Sequence, residues 1–114
     1  MEDRRGIKRR HLIYYLRVFD RKTMQVIGHL VDITAAGLML IIESAIQPNV
    51  TFDLRLDLPR DILAKVHLDF RAQSLWSKPD VNPDFYVTGF KFLNVEPGDV
   101  EVISHLIDEF GFRD

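Results

Sequence analysis

Hydrophobic and polar residues alternate along most of the chain. From His11 the run HLIYYLRVFD sets Leu12, Tyr14, Leu16 and Val18 against Ile13, Tyr15, Arg17 and Phe19, the two-residue period of a β-strand with both faces partly apolar. The polar DRKT then reads as a turn and MQVIGHLVDI as the returning strand of a hairpin. A third strand, LMLIIE, is bounded by TAAG before it and SAIQPN after it, where Pro48 and Asn49 mark a loop. VTFDLRLDL alternates cleanly, with Val50, Phe52, Leu54 and Leu56 opposite Thr51, Asp53, Arg55 and Asp57, and predicts a half-buried strand. PRDILAK suits one helical turn opened by Pro59, or an irregular connection. VHLDFRAQSLWSK and FYVTGFKFLNV are further strands around the loop PDVNPD, and Gly89 inside the last suggests a bulge or a close backbone approach. The period then changes. Val100, Ile103, Ile107 and Phe110 fall three and four apart, with Pro97 near the start and Gly111 past the end, so one amphipathic helix is expected over residues 97–110. About six strands and a closing helix predict an all-β fold with one C-terminal helix, its antiparallel sheet closed or nearly closed into a barrel.

Length and charge refine this picture. A chain of 114 residues is expected to form a single domain over 1–114 with one core, and residues 1–10 are expected to be a flexible basic arm. Net charge is only −2, but it is divided unevenly. Residues 1–22 carry eight basic side chains against three acidic ones, and the remainder carries seven against fourteen. Such asymmetry points to an anionic partner for the basic end. No cysteine is present, which removes disulfides and thiolate metal sites and suits a reducing compartment. The longest apolar run, AAGLMLII, is far shorter than the ~20 residues that span a bilayer. The start MEDRRGIKRR is charged where a signal peptide needs an apolar stretch. A cytoplasmic protein without a membrane role is the expectation.

Catalytic patterns give no anchor. His11, His29, His67 and His105 are scattered, no serine sits in GxSxG, and neither GxGxxG nor GxxxxGK occurs. Two other elements stand out. The first is RRGIKRR, in which Arg5 and Arg9 are separated by three residues ahead of the first strand. The second is DITAAG, where Asp32, Thr34 and Gly37 follow the second strand as DxTxxG. Each alone has a plain reading: an arginine cluster is a solvated tail, and DxTxxG is turn chemistry in which Asp32 and Thr34 bond the local backbone and Gly37 takes a positive φ. Together they say more. A guanidinium fork suits phosphate oxygens and the O6 and N7 acceptors of guanine, and a carboxylate suits the donors on guanine's opposite edge. In the hairpin proposed above, antiparallel pairing brings the start of the first strand beside the end of the second, so Arg9 and Asp32 become neighbours.

These motifs resemble the PilZ domain family, small bacterial β-barrels whose members often bind cyclic di-GMP. The family signature pairs RxxxR, matched by Arg5 and Arg9 with Arg4 before them, with (D/N)xSxxG, matched by Asp32, Thr34 and Gly37 except that threonine replaces serine. The late LWSKP…FYVTGFKFLNVEPGDVEVISHLI also resembles the family's last strands and closing helix. The resemblance implies a six-stranded antiparallel PilZ-like β-barrel and a non-enzymatic receptor without cofactor or metal. Its cyclic di-GMP site would be built from Arg4, Arg5, Arg9, Arg10, Asp32, Thr34 and Gly37. The protein would be a monomer or dimer that changes conformation on binding and signals to a downstream protein. The alternatives are a PilZ-like interaction module that binds no nucleotide, and a nucleic-acid-binding barrel that stacks bases on Tyr14 or Tyr15. The acidic remainder of the chain weighs against a nucleic acid polymer as partner.

Overall fold

Alternating strands bury one face each, and a sheet that closes on itself lets all those faces share one core. A computed structural model describes residues 16–62 and 64–110, the side chains of 60–62 and 110 excepted. Its strands are β1 (Arg17–Asp20), β2 (Gln25–Ile33), β3 (Gly37–Ile42), β4 (Thr51–Ile62), β5 (Lys65–Pro79) and β6 (Tyr86–Asn94), followed by the helix α1 (Pro97–Phe110). All strand pairs are antiparallel and the barrel runs β1-β2-β3-β6-β5-β4, closing where β1 pairs with β4. This is the six-stranded barrel with one C-terminal helix that the alternation predicts.

Inward-facing Val18, Leu30, Leu40, Leu54, Leu56, Leu68 and Phe90 fill the barrel. Helix α1 starts two residues after β6 and adds Val102, Ile103 and Leu106 to the same core, so it packs where β6 finishes. At the other end the β3–β4 loop folds over the core on Ile46. Buried hydroxyls hold that loop. Ser74 Oγ donates to the Gln47 carbonyl (2.6 Å) and accepts from the Val50 N–H (3.0 Å), and Ser77 Oγ accepts from the Ile46 N–H (3.3 Å) and bonds Thr88 Oγ1 (2.7 Å). Such satisfaction is what allows Ser74 and Thr88 to be fully buried.

Two local expectations change. Among the described residues PRDILAK holds no helical turn: β4 continues to Ile62, which pairs with Lys65, and the irregularity lies within the ladder to β5, between Asp57 and Ile62. Pro59 lies in that interrupted stretch, where no ladder donor is required of it. The first strand, expected from His11, is described from Arg17 onward, and residues 11–15 lie outside the described residues.

The outer surface is divided. On the β1-β4-β5 side, cross-strand neighbours alternate in charge: Arg17 with Asp57 (3.0 Å), Arg55 with Asp69 (2.8 Å) and Arg71 with Asp53 (2.9 Å). Hydrogen bonding from Arg71 holds the Asp53 carboxyl below its usual range, and hydrogen bonding from Arg55 does the same for Asp69 while raising Arg55 in turn. The β2-β3-β6-β5 side carries fewer charges, and the site lies there.

Candidate functional site

Strict alternation along β2 would send Gly28, Leu30 and Asp32 all into the barrel, an expensive place for a lone carboxylate. The strand avoids this with a bulge. Leu30 pairs with Leu40, but the next pair is Asp32 with Met39, leaving Val31 as the extra residue. The bulge turns Asp32 outward and lets Ile33 enter the core. Strand β5 does the same. Phe70, Ala72 and Ser74 face inward, Ser74 pairs with Phe90, and the next pair is Trp76 with Gly89, leaving Leu75 as the extra residue. Trp76 therefore turns outward while Ser77 reaches the buried Thr88.

Both bulges serve one row. Asp32 pairs with Met39, Met39 with Gly89 and Gly89 with Trp76, so the four lie side by side on the outer face of β2, β3, β6 and β5. Strand spacing puts the two ends of this row about 14 Å apart. Gly89 is what allows the indole to lean across it: a Cβ there would meet the Trp76 ring at 2.6 Å. The row floors a groove of about 290 Å³, walled by Thr34, Ala36, Leu75 and Lys91. Lys91 supplies a cation in the adjacent row, between Gly37 and Gln73. The Lys78 ammonium lies over the Trp76 ring, 5.2 Å from its centroid.

DITAAG shapes the rim of this groove. Asp32 Oδ1 accepts from the Ile33 N–H (2.9 Å) and Thr34 Oγ1 from the Ala36 N–H (3.1 Å), while the Thr34 N–H donates to the Gly37 carbonyl (2.8 Å). The Asp32 carboxylate has no cation partner among the described residues. The turn reading of Asp32 and Thr34 thus stands, but that of Gly37 changes. Gly37 is the first residue of β3, outside the left-handed region, and a Cβ there would lie 2.1 Å from the Phe90 carbonyl oxygen. Glycine is required by the close approach of β6, not by a positive φ.

Of the residues singled out in the sequence, Asp32, Thr34 and Gly37 come together here. Arg4, Arg5, Arg9 and Arg10 lie outside the described residues. The β1–β2 hairpin is present, with Arg17 opposite His29 and the Leu30 N–H donating to the Leu16 carbonyl (2.8 Å). The first described residue therefore stands beside Leu30, two positions from Asp32. Trp76, Met39 and Lys91 were not candidates from sequence. Only Gly89 signalled the close approach that the Trp76 ring makes. Among the described residues no three His, Asp or Glu side chains group as a metal site, and no helix is long and apolar enough to cross a membrane.

Comparison with known proteins converges on this fold. The chain is similar in structure to the inhibitor of motility MotI/DgrA of Bacillus subtilis, with a TM-score of 0.67 at 14% identity over 82% of this chain and 46% of that one. It is similar to the PilZ domain of YcgR from Escherichia coli with c-di-GMP, with a TM-score of 0.61 at 16% identity over 86% and 83%. Against YcgR in complex with c-di-GMP the TM-score is 0.64 at 16% identity, over 82% and 39%. The chain thus spans less than half of the Bacillus protein and of the longer YcgR chain. A search of curated protein sequences gives no significant match. The sequence profile of the PilZ domain matches residues 3–109. That match takes in the whole barrel, the DxTxxG rim and all but the last residue of the closing helix, and the chain belongs to the PilZ domain family.

Proposed function

We propose that this PilZ domain is a receptor for cyclic di-GMP, binding without catalysis and passing the signal to a protein partner. The observation that carries the reading is the row Asp32–Met39–Gly89–Trp76, a carboxylate at one end and an indole at the other on a common outer face. Asp32 keeps a carboxylate oxygen for guanine's ring and amino N–H donors, and Thr34 retains a hydroxyl proton to donate. Trp76 offers a π-face to a base, whose stacking displaces the Lys78 ammonium toward the ligand's phosphates. Lys91 contributes charge beside them. Arg5 and Arg9, flanked by Arg4 and Arg10, complete the site from the arm that precedes β1, gripping phosphate and guanine. The family and the c-di-GMP complexes of the similar YcgR structures support the reading. Ordering the arm around the ligand carries an entropic cost that these charge-assisted contacts offset. The same ordering changes the surface available to a partner.

Titration of cyclic di-GMP into the wild type and Arg9→Ala tests it. Loss of a charge-assisted contact worth ~1.5–3 kcal/mol predicts an affinity about tenfold weaker or worse in the variant. Equal affinities would remove Arg9 from the site, and absence of heat in the wild type would leave the nucleotide-free interaction module.

A further inference from the structure

A second groove lies on the same side of the barrel, toward its other end, and owes nothing to the nucleotide reading. The ladder between β2 and β3 begins at the pair His29–Ile41 and runs toward Ile33. The front half of β2, Gln25–Gly28, pairs with β1 alone among the described residues. Gly28 is the crossing point: a Cβ there would lie 2.6 Å from the Ile41 carbonyl oxygen and 2.5 Å from the Ile42 side chain. Beyond it the two strands part. The slot between them has a volume of about 620 Å³, larger than the Asp32–Trp76 groove, and is lined by Val26, Ile27, Ile42, Glu43, Ile46 and Phe85.

We propose that this slot takes an extended segment of a partner protein, added as a strand along Gln25–Gly28. Three observations define its chemistry. The edge of β2 that faces the slot has no strand partner among the described residues, which makes it a template for main-chain hydrogen bonding. Ile27, Ile46 and Phe85 form an apolar floor, and Met24 and Val26 are exposed along the edge, so the segment carries apolar side chains at alternate positions. Glu43 stands at the rim without an ion-pair partner among the described residues, so the segment carries a lysine or arginine to meet it. A second copy of this chain fits less well. Its own β2 is fixed in its barrel wall by β1 and by the crossing at Gly28, and it cannot enter another barrel's slot.

The probe is a labelled, capped heptapeptide of alternating valine and threonine with lysine at each end, titrated by fluorescence anisotropy while amide exchange is followed by NMR. Saturable binding is expected, with slowed exchange at Val26 and Ile27. Val26→Pro, which removes an edge N–H, should weaken binding tenfold or more. Glu43→Arg should weaken the lysine-ended peptide several-fold and strengthen its glutamate-ended counterpart, and this charge swap decides the matter should Val26→Pro fail to fold. No saturation at millimolar peptide, or binding indifferent to Glu43→Arg, would overturn the proposal. So would peptide-sensitive dimerisation of the wild type, which would give the slot to a second copy.

Discussion

At the scale of single residues, two glycines do different work, and their substitution separates stability from binding. Gly37→Ala drives a methyl into the Phe90 carbonyl of a neighbouring strand, where only backbone movement gives relief. Overpacking of this kind costs about 1–3 kcal/mol, and the urea midpoint should fall accordingly. Gly89→Ala meets the Trp76 indole instead, and a partly exposed ring on the outer face can swing away. Its loss of stability should be the smaller, but its affinity for cyclic di-GMP should fall by about as much as in Trp76→Ala, roughly tenfold for the loss of one base stack worth ~1–3 kcal/mol. If Gly89→Ala binds as wild type while Trp76→Ala does not, the ring works from some other position. DITAAG was legible in the sequence because Asp32, Thr34 and Gly37 are local chemistry, but the reason for Gly37 was not. It depends on β6, more than fifty positions away, which no local reading of TAAG contains.

At the scale of elements, the strands and the helix were legible because each carries its own period, and the barrel followed from their number and order. The two bulges were not. Along GHLVDI and along FRAQSLWS the alternation slips, at Leu30–Val31 and at Gln73–Ser74, but a slip alone does not name a bulge, and only the partner strands show that Val31 and Leu75 are extra residues. With every residue kept in strict alternation Asp32 and Trp76 would point into the core, so both were hidden for the same physical reason. Deleting Val31 removes the extra residue and leaves Leu30, Asp32 and Ile33 in plain alternation, with Asp32 still outward opposite Met39, so the deletion variant should keep its fold and its affinity for cyclic di-GMP. A deletion variant that folds, by its urea midpoint, but no longer binds would show that the bulge itself, and not only the outward Asp32, shapes the site. The charged ladder of β4 and β5 makes a separate prediction. Asp53 and Asp69 are held below their usual range, chiefly by hydrogen bonds from Arg71 and Arg55. A carboxylate depressed in the folded state lends stability that is present above its unfolded value of about 3.9 and is lost as the pH falls through its folded value. Thermal midpoints should hold from pH 7 to 5 and drop below about pH 4. Asp69→Asn should be less stable at pH 7 but show a shallower drop, and a parallel curve would mean the ladder is not the source.

At the scale of the whole molecule, the barrel separates tasks by side. Its β1-β4-β5 exterior is a lattice of opposite charges that satisfies itself. Its β2-β3-β6-β5 exterior holds the Asp32–Trp76 row at one end and the strand slot at the other. Strand β3 lies between them and takes part in both, through Met39 in the row and Ile42 in the slot. In the proposed reading this arrangement puts a ligand site and a partner site at opposite ends of one wall of the barrel. The most direct measurement of the receptor account uses the fact that Trp76 is the only tryptophan of the chain. Cyclic di-GMP is titrated by calorimetry with Trp76 emission recorded on the same samples. The account predicts saturating heat together with a change in emission that saturates at the same ligand concentration, as a guanine stacks on the indole. Heat without any change in emission would contradict the placement of the site, and the absence of both would contradict the receptor itself.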